Sequence, residues 1–137
     1  MVELDIDYKP SDDESFMNEK QQAYFRRKLE NWKADILKES KSTIAVLQDE
    51  SDKLPDQADR ASSETDRSIE LRARDRQRKL ITKIDAALKR LDEGNYGYCE
   101  ETGEPIGVKR LEARPIATLS IEAQERHERR EKVYRDD

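Results

Sequence analysis

The chain has 137 residues, of which 43% are charged and 34% apolar, and its 27 Lys and Arg against 32 Asp and Glu leave a net charge of −5. An average domain is about 25% charged and close to half apolar, so one core drawing on the whole chain is excluded, and a small core joined to an extended, solvent-bathed element is expected. No apolar run approaches the ~20 residues of a membrane span, and the acidic balance argues against direct binding to duplex DNA by phosphate neutralisation.

Residues 1–17 read as an acidic arm with little structure of its own, carrying Glu3, Asp5, Asp7, Asp12, Asp13 and Glu14 against Lys9. MVELDIDYKP lacks the basic head and apolar middle of a signal peptide. From about Asn18 the pattern becomes helical. Phe25, Leu29, Trp32 and Ile36 step by 4, 3 and 4, the spacing of a coiled-coil seam, which then slips by one residue to Leu37, Ser40, Ile44 and Leu47. The segment 51–62, SDKLPDQADRAS, reads as the break: Pro55 biases Leu54 away from helix, and Asp56 suits a turn or a cap. A second long helix follows, with Ala73, Leu80, Ile84, Ala87 and Leu91 along its seam, and Gly94 stops it. The short connection predicts an antiparallel hairpin over 18–93. Folding it near 56–57 sets Leu29 beside Ile84 and Ile44 beside Ile69.

Residues 94–137 hold all four glycines and two of the four prolines. They read as tight turns, a small hairpin and a final helix capped by Thr118 or Ser120. The expected fold is mainly α: a coiled-coil finger on a small globular base with a C-terminal helix.

Charge is unevenly spread. Residues 49–66 carry seven acidic and two basic side chains, a net of −5, and residues 67–90 carry nine basic and three acidic, a net of +6. An acidic tip therefore precedes a basic stem. Either run can be a plain solvated flank; the functional alternative is a probe whose tip suits a cation-collecting channel and whose stem suits an anionic partner.

Three constellations could carry chemistry. Asp56 and Asp59 are paired carboxylates, but at an exposed turn without a pocket or a nearby His, so this chain is not expected to be an enzyme. Cys99 is the only cysteine and His127 the only histidine, too few for a structural zinc site, which needs about four ligands. A lone cysteine cannot form an intramolecular disulfide and suits a reducing cytoplasm. Lys83 and Arg114 are the cations that could meet an anion.

MNEKQQAYFRRKLENWK, LPDQADRAS, ELRARDRQRKLITKI and GYCEETGEPIGVKRLEARP, with the tip pattern Asp56-x-x-Asp59-Arg60-Ala61, together resemble the DksA family of bacterial RNA polymerase-binding transcription factors across residues 16–132. The resemblance implies a finger that enters the polymerase secondary channel, with Asp56, Asp59 and Ala61 acting near the polymerase active site without making bonds. It implies the effector ppGpp at the polymerase interface, contacted by Leu80, Lys83 and Arg114, and Arg76 against the polymerase rim. It also implies a monomeric cytoplasmic regulator of the stringent response, repressing ribosomal RNA promoters and activating some biosynthetic ones. A further family lysine corresponds to Gln124, a loss that implies either weaker ppGpp binding or a contact left to Arg126. Competing readings are a channel factor of the transcript-cleavage type and a plain coiled-coil adaptor.

The family's four zinc cysteines correspond here to Cys99, Thr102, Ser120 and Ala123. Three thiols are missing, so the chain resembles a zinc-independent branch in which packing by residues such as Tyr96, Val108, Leu111 and Ile116 replaces the metal.

Overall fold

The computed structural model describes residues 3–53 and 57–136, with side chains at 3–41 and 64–133. It contains α1 (Glu19–Lys53), α2 (Gln57–Glu93), α3 (Val108–Ala113) and α4 (Ile121–Asp136). The chain divides into two compact units, one of residues 1–29 and 86–137 and one of 30–85.

The 30–85 unit holds the middle of the coiled coil. Lys33 Nζ donates to Asp85 at 2.7 Å, Ser40 Oγ to Gln77 Oε1 at 2.9 Å, and Gln77 Nε2 to Glu39 at 3.4 Å. Partner numbers fall along α2 as they rise along α1, which is an antiparallel pairing. The pairs lie about one turn farther along α2 than a fold-over at 56–57 sets them. Side-chain matching decides register, and here a polar layer at Ser40 and Gln77 does so. Ile36 and Ile84 are buried, whereas Ile69, expected on the seam, is 56% exposed.

The other unit carries the main core. Phe25, Leu29, Ala87, Leu91, Tyr96, Cys99, Val108, Leu111 and Ala123 are all buried. Phe25 packs edge-on to Tyr24 at 5.2 Å and tilted against Tyr96 at 5.6 Å between ring centroids. A fully buried Phe or Leu side chain contributes about 1.5–3 kcal/mol.

Residues 3–18 contain neither helix nor strand, yet hydrogen bonds tie them to the same unit. Asn18 caps α1, its Oδ1 accepting the Gln21 N–H at 2.8 Å, while Gln21 Oε1 accepts the Met17 N–H at 2.8 Å. This is a reciprocal cap displaced by one residue. Gln21 is completely buried, and its amide also donates to the Ser11 carbonyl at 3.2 Å. Tyr8 donates to Glu14 at 2.9 Å, and Asn18 donates to the same carboxylate at 3.0 Å. These two bonds hold the Glu14 carboxyl below its ordinary range, while burial first and then Glu14 push the Tyr8 phenol up to about 12. Little of this is visible in sequence periodicity, because it rests on single side-chain-to-backbone bonds.

α2 ends at Gly94, whose φ of +81° allows the Asn95 and Tyr96 N–H groups to turn back onto the Arg90 carbonyl at 2.8 and 3.2 Å. Gly97, at φ +91°, lies against Phe16, whose ring an added Cβ would meet at 3.1 Å. The turns 97–106 close with one β-bridge, Tyr98 to Pro105. Ser120 caps α4 through its Oγ, which accepts the Ala123 N–H at 3.2 Å. Among the described residues, no helix is long and apolar enough to cross a membrane.

Candidate functional site

Of the tip residues, Asp56 lies outside the described residues. Asp59 and Ala61 fall within α2, but their side chains are outside the described set.

The stem residues follow helical spacing. Arg76, Leu80 and Lys83 are separated by four and three residues on α2, so they share one face. Arg76 and Lys83 are exposed and Leu80 is half-buried between them. The buried Ile84, Ala87 and Leu91 lie 4, 7 and 11 residues beyond Leu80, on the same side of the helix, so Arg76 and Lys83 border the buried stripe. Neither Arg76 nor Lys83 has an ion pair among the described residues.

Arg114 belongs to the other unit and ends α3. Its N–H donates to the Arg110 carbonyl at 2.7 Å, and its own carbonyl accepts the Ala117 N–H at 3.0 Å. The next carbonyl, that of Pro115, accepts the Tyr96 hydroxyl at 2.8 Å, and Arg110 Nε donates to the Leu119 carbonyl at 2.9 Å. On the α1 side, Lys28 Nζ donates at 2.9 Å to both the backbone carbonyl and the carboxylate of Glu112. Burial would raise the Glu112 carboxyl, but the Tyr24 hydroxyl and the Lys28 ammonium hold it below its ordinary range. The Arg114 side chain is exposed above this frame.

The four positions equivalent to zinc ligands are brought together without a ligand set. Cys99 is only 3% exposed. Its sulfur accepts the backbone N–H groups of Ser120, Thr102 and Glu101 and the Thr102 hydroxyl. Burial acts to raise the thiol, and these donors outweigh it, bringing its pKa down to about 6. The Ser120 oxygen is engaged by the Ala123 N–H, and Ala123 offers a fully buried methyl group. One thiol, two hydroxyls and a methyl do not supply the soft tetrahedral donor set of a structural zinc. Among the described residues, no group of three His, Cys, Asp or Glu could hold a metal. Treatment with a strong chelator is therefore expected to leave helicity and melting temperature unchanged; a loss of far-ultraviolet dichroism would contradict this.

The hydrogen-bonded sulfur has a measurable consequence. The folded chain holds the Cys99 proton only below about pH 6, against an ordinary value of 9.0. Between those limits unfolding takes up a proton, so this group adds stability as pH rises and loses it as pH falls through 6. Denaturant unfolding at the two limits is expected to show that rise in the wild type and a flatter response in Cys99→Ala.

Sequence reading missed a clasp on the same knuckle. Glu101 contacts His127 Nε2 and lies 3.8 Å from Arg126, joining the loop to α4. Such pairing depends on loop geometry and leaves no spacing signal.

Residues 21–91 match the model of the DnaK suppressor protein DksA N-terminal domain, and residues 94–129 match that of the prokaryotic dksA/traR C4-type zinc finger. A Caulobacter vibrioides protein named RNA polymerase-binding transcription factor DksA is 67% identical over 131 residues, covering 96% of this chain and 92% of its own length. The Escherichia coli K12 protein of the same name is 47% identical over 125 residues, covering 91% and 83%. The solved structure of transcription factor DksA2 from Pseudomonas aeruginosa is similar with a TM-score of 0.80 and 46% identity, covering 85% of this chain and 90% of that one.

Proposed function

Because the chain belongs to the DksA family, we propose that it is a non-catalytic RNA polymerase-binding regulator of transcription initiation. The observation that carries this reading is the 67% identity over 96% of the chain to a factor named for polymerase binding. The antiparallel helix pair, with its acidic tip segment and the exposed Arg76 and Lys83, supports it physically. In this reading the tip residues Asp56, Asp59 and Ala61 enter the secondary channel, where developing charge and bound cations meet carboxylates. Arg76 contacts the channel rim. ppGpp is the effector, with Lys83 and Arg114 each a phosphate contact and Leu80 next to Lys83 on its helix; guanidinium and ammonium groups both suit phosphate, the first bidentately. The protein acts as a monomer in the cytoplasm, without zinc and without contacting DNA directly.

The experiment is transcription in vitro from a ribosomal RNA promoter, together with polymerase affinity measured by competition. Wild type is expected to bind polymerase and repress, more strongly with ppGpp. Lys83→Ala and Arg114→Ala are each expected to raise the ppGpp concentration for half effect about tenfold, the result of losing one charge-assisted hydrogen bond of ~1.5 kcal/mol, with affinity in the absence of ppGpp unchanged. A chain that fails to bind polymerase overturns the proposal; variants with an unaltered ppGpp response overturn the assigned ligand contacts only.

A further inference from the structure

We infer that Tyr96 is a positioning residue for the Arg114 guanidinium, acting through the carbonyl of Pro115. The inference rests on the proposed role of Arg114 as a phosphate contact.

Tyr96 is only 2% exposed. Its ring packs against Phe25, with the centroids 5.6 Å apart, a contact that Phe would make equally well. The hydroxyl is therefore not needed for packing, and a buried hydroxyl without a partner is costly. Its partner is the Pro115 carbonyl at 2.8 Å. That carbonyl belongs to the residue after Arg114, at the point where the chain leaves α3.

Arg114 cannot be held by α3 alone. The helix is six residues long, and Arg114 leaves it with φ −138° and ψ 82°. One bond on each side constrains its backbone: its N–H to Arg110, and its carbonyl from Ala117. The Arg110 side chain secures the far end of the loop at the Leu119 carbonyl. Between these, the Thr118 carbonyl accepts the Glu100 N–H at 2.9 Å, and the Tyr96 hydroxyl holds Pro115 itself, limiting rotation at the residue next to Arg114. A phosphate contact by a bidentate fork is sensitive to such rotation, because both N–H groups must arrive in one plane. Buried partners that hold a contact residue's own support are needed for that geometry.

The test is a double-mutant cycle in the transcription assay with RNA polymerase, titrating ppGpp. Tyr96→Phe keeps the ring and the core, so the chain folds; circular dichroism and polymerase affinity without ppGpp verify this. Tyr96→Phe is expected to raise the ppGpp concentration for half effect several-fold in the wild-type background. It is expected to change nothing further in the Arg114→Ala background. Leu91→Ala, which thins the same core on α2, is expected to lower the melting temperature while leaving the ppGpp response intact. An unchanged response in Tyr96→Phe, beside a weakened one in Arg114→Ala, overturns the inference. So does an equal effect of Tyr96→Phe in both backgrounds, or a Leu91→Ala response that falls in step. If Arg114→Ala itself responds normally, the underlying assignment of Arg114 is what fails.

Discussion

Asp59→Asn is expected to bind RNA polymerase with near wild-type affinity and to lose most of its effect on a ribosomal RNA promoter. The substitution preserves shape and removes one charge. Hydrogen bonds to charged groups are worth about 1.5–3 kcal/mol, so an interaction made only in the regulated polymerase complex would weaken about ten- to a hundredfold. In the proposed reading binding is spread along the helix pair, including the net +6 of residues 67–90, so one tip carboxylate contributes little to it. Parallel measurement of affinity and of promoter-complex lifetime separates the two effects. Loss of affinity matching the loss of regulation would assign Asp59 to docking; full regulation by the variant would remove the carboxylate from the mechanism.

Phe25→Ala is expected to cost about 3–5 kcal/mol of folding stability. Phe25 is completely buried, contacts the rings of Tyr24 and Tyr96, and lies in the unit that also holds Leu29, Leu91 and Leu111. Domains of this size have a total stability of about 5–15 kcal/mol, so the variant sits near its unfolding threshold at 37 °C. Denaturant titration by circular dichroism measures the change. A cost under about 1 kcal/mol would mean that the core repacks around the vacancy.

Much of this molecule was legible before any coordinates. The helix pair follows from apolar spacing at Phe25, Leu29 and Ile36, and the Gly94 stop and Ser120 cap from residue chemistry that operates locally. The departure from the family's four cysteines was legible too, because Thr102, Ser120 and Ala123 stand at three of those positions. The register was not: Ser40 and Gln77 look like interruptions of the seam, and only their mutual hydrogen bond shows that they match. Nor was α3, the six residues VKRLEA, too short for periodicity to distinguish from loop. The stem assignments Arg76, Leu80 and Lys83 came from resemblance, and the helix adds that they share a face. The support behind Arg114 was invisible, since Tyr96 and Pro115 are 19 residues apart and no spacing rule connects them.

The buried amide of Gln21 also bears on where this protein can be cut. The matched family region starts at residue 21, which invites trimming to that point. Gln21 nevertheless spends its oxygen on Met17 and its nitrogen on Ser11. A fragment starting at residue 19 would leave both atoms facing an apolar interior with no partner, at about 1–3 kcal/mol for each lost bond. The smallest piece that keeps Gln21 satisfied therefore includes Ser11 and Met17, and the boundary drawn by similarity falls inside the folding unit rather than at its edge.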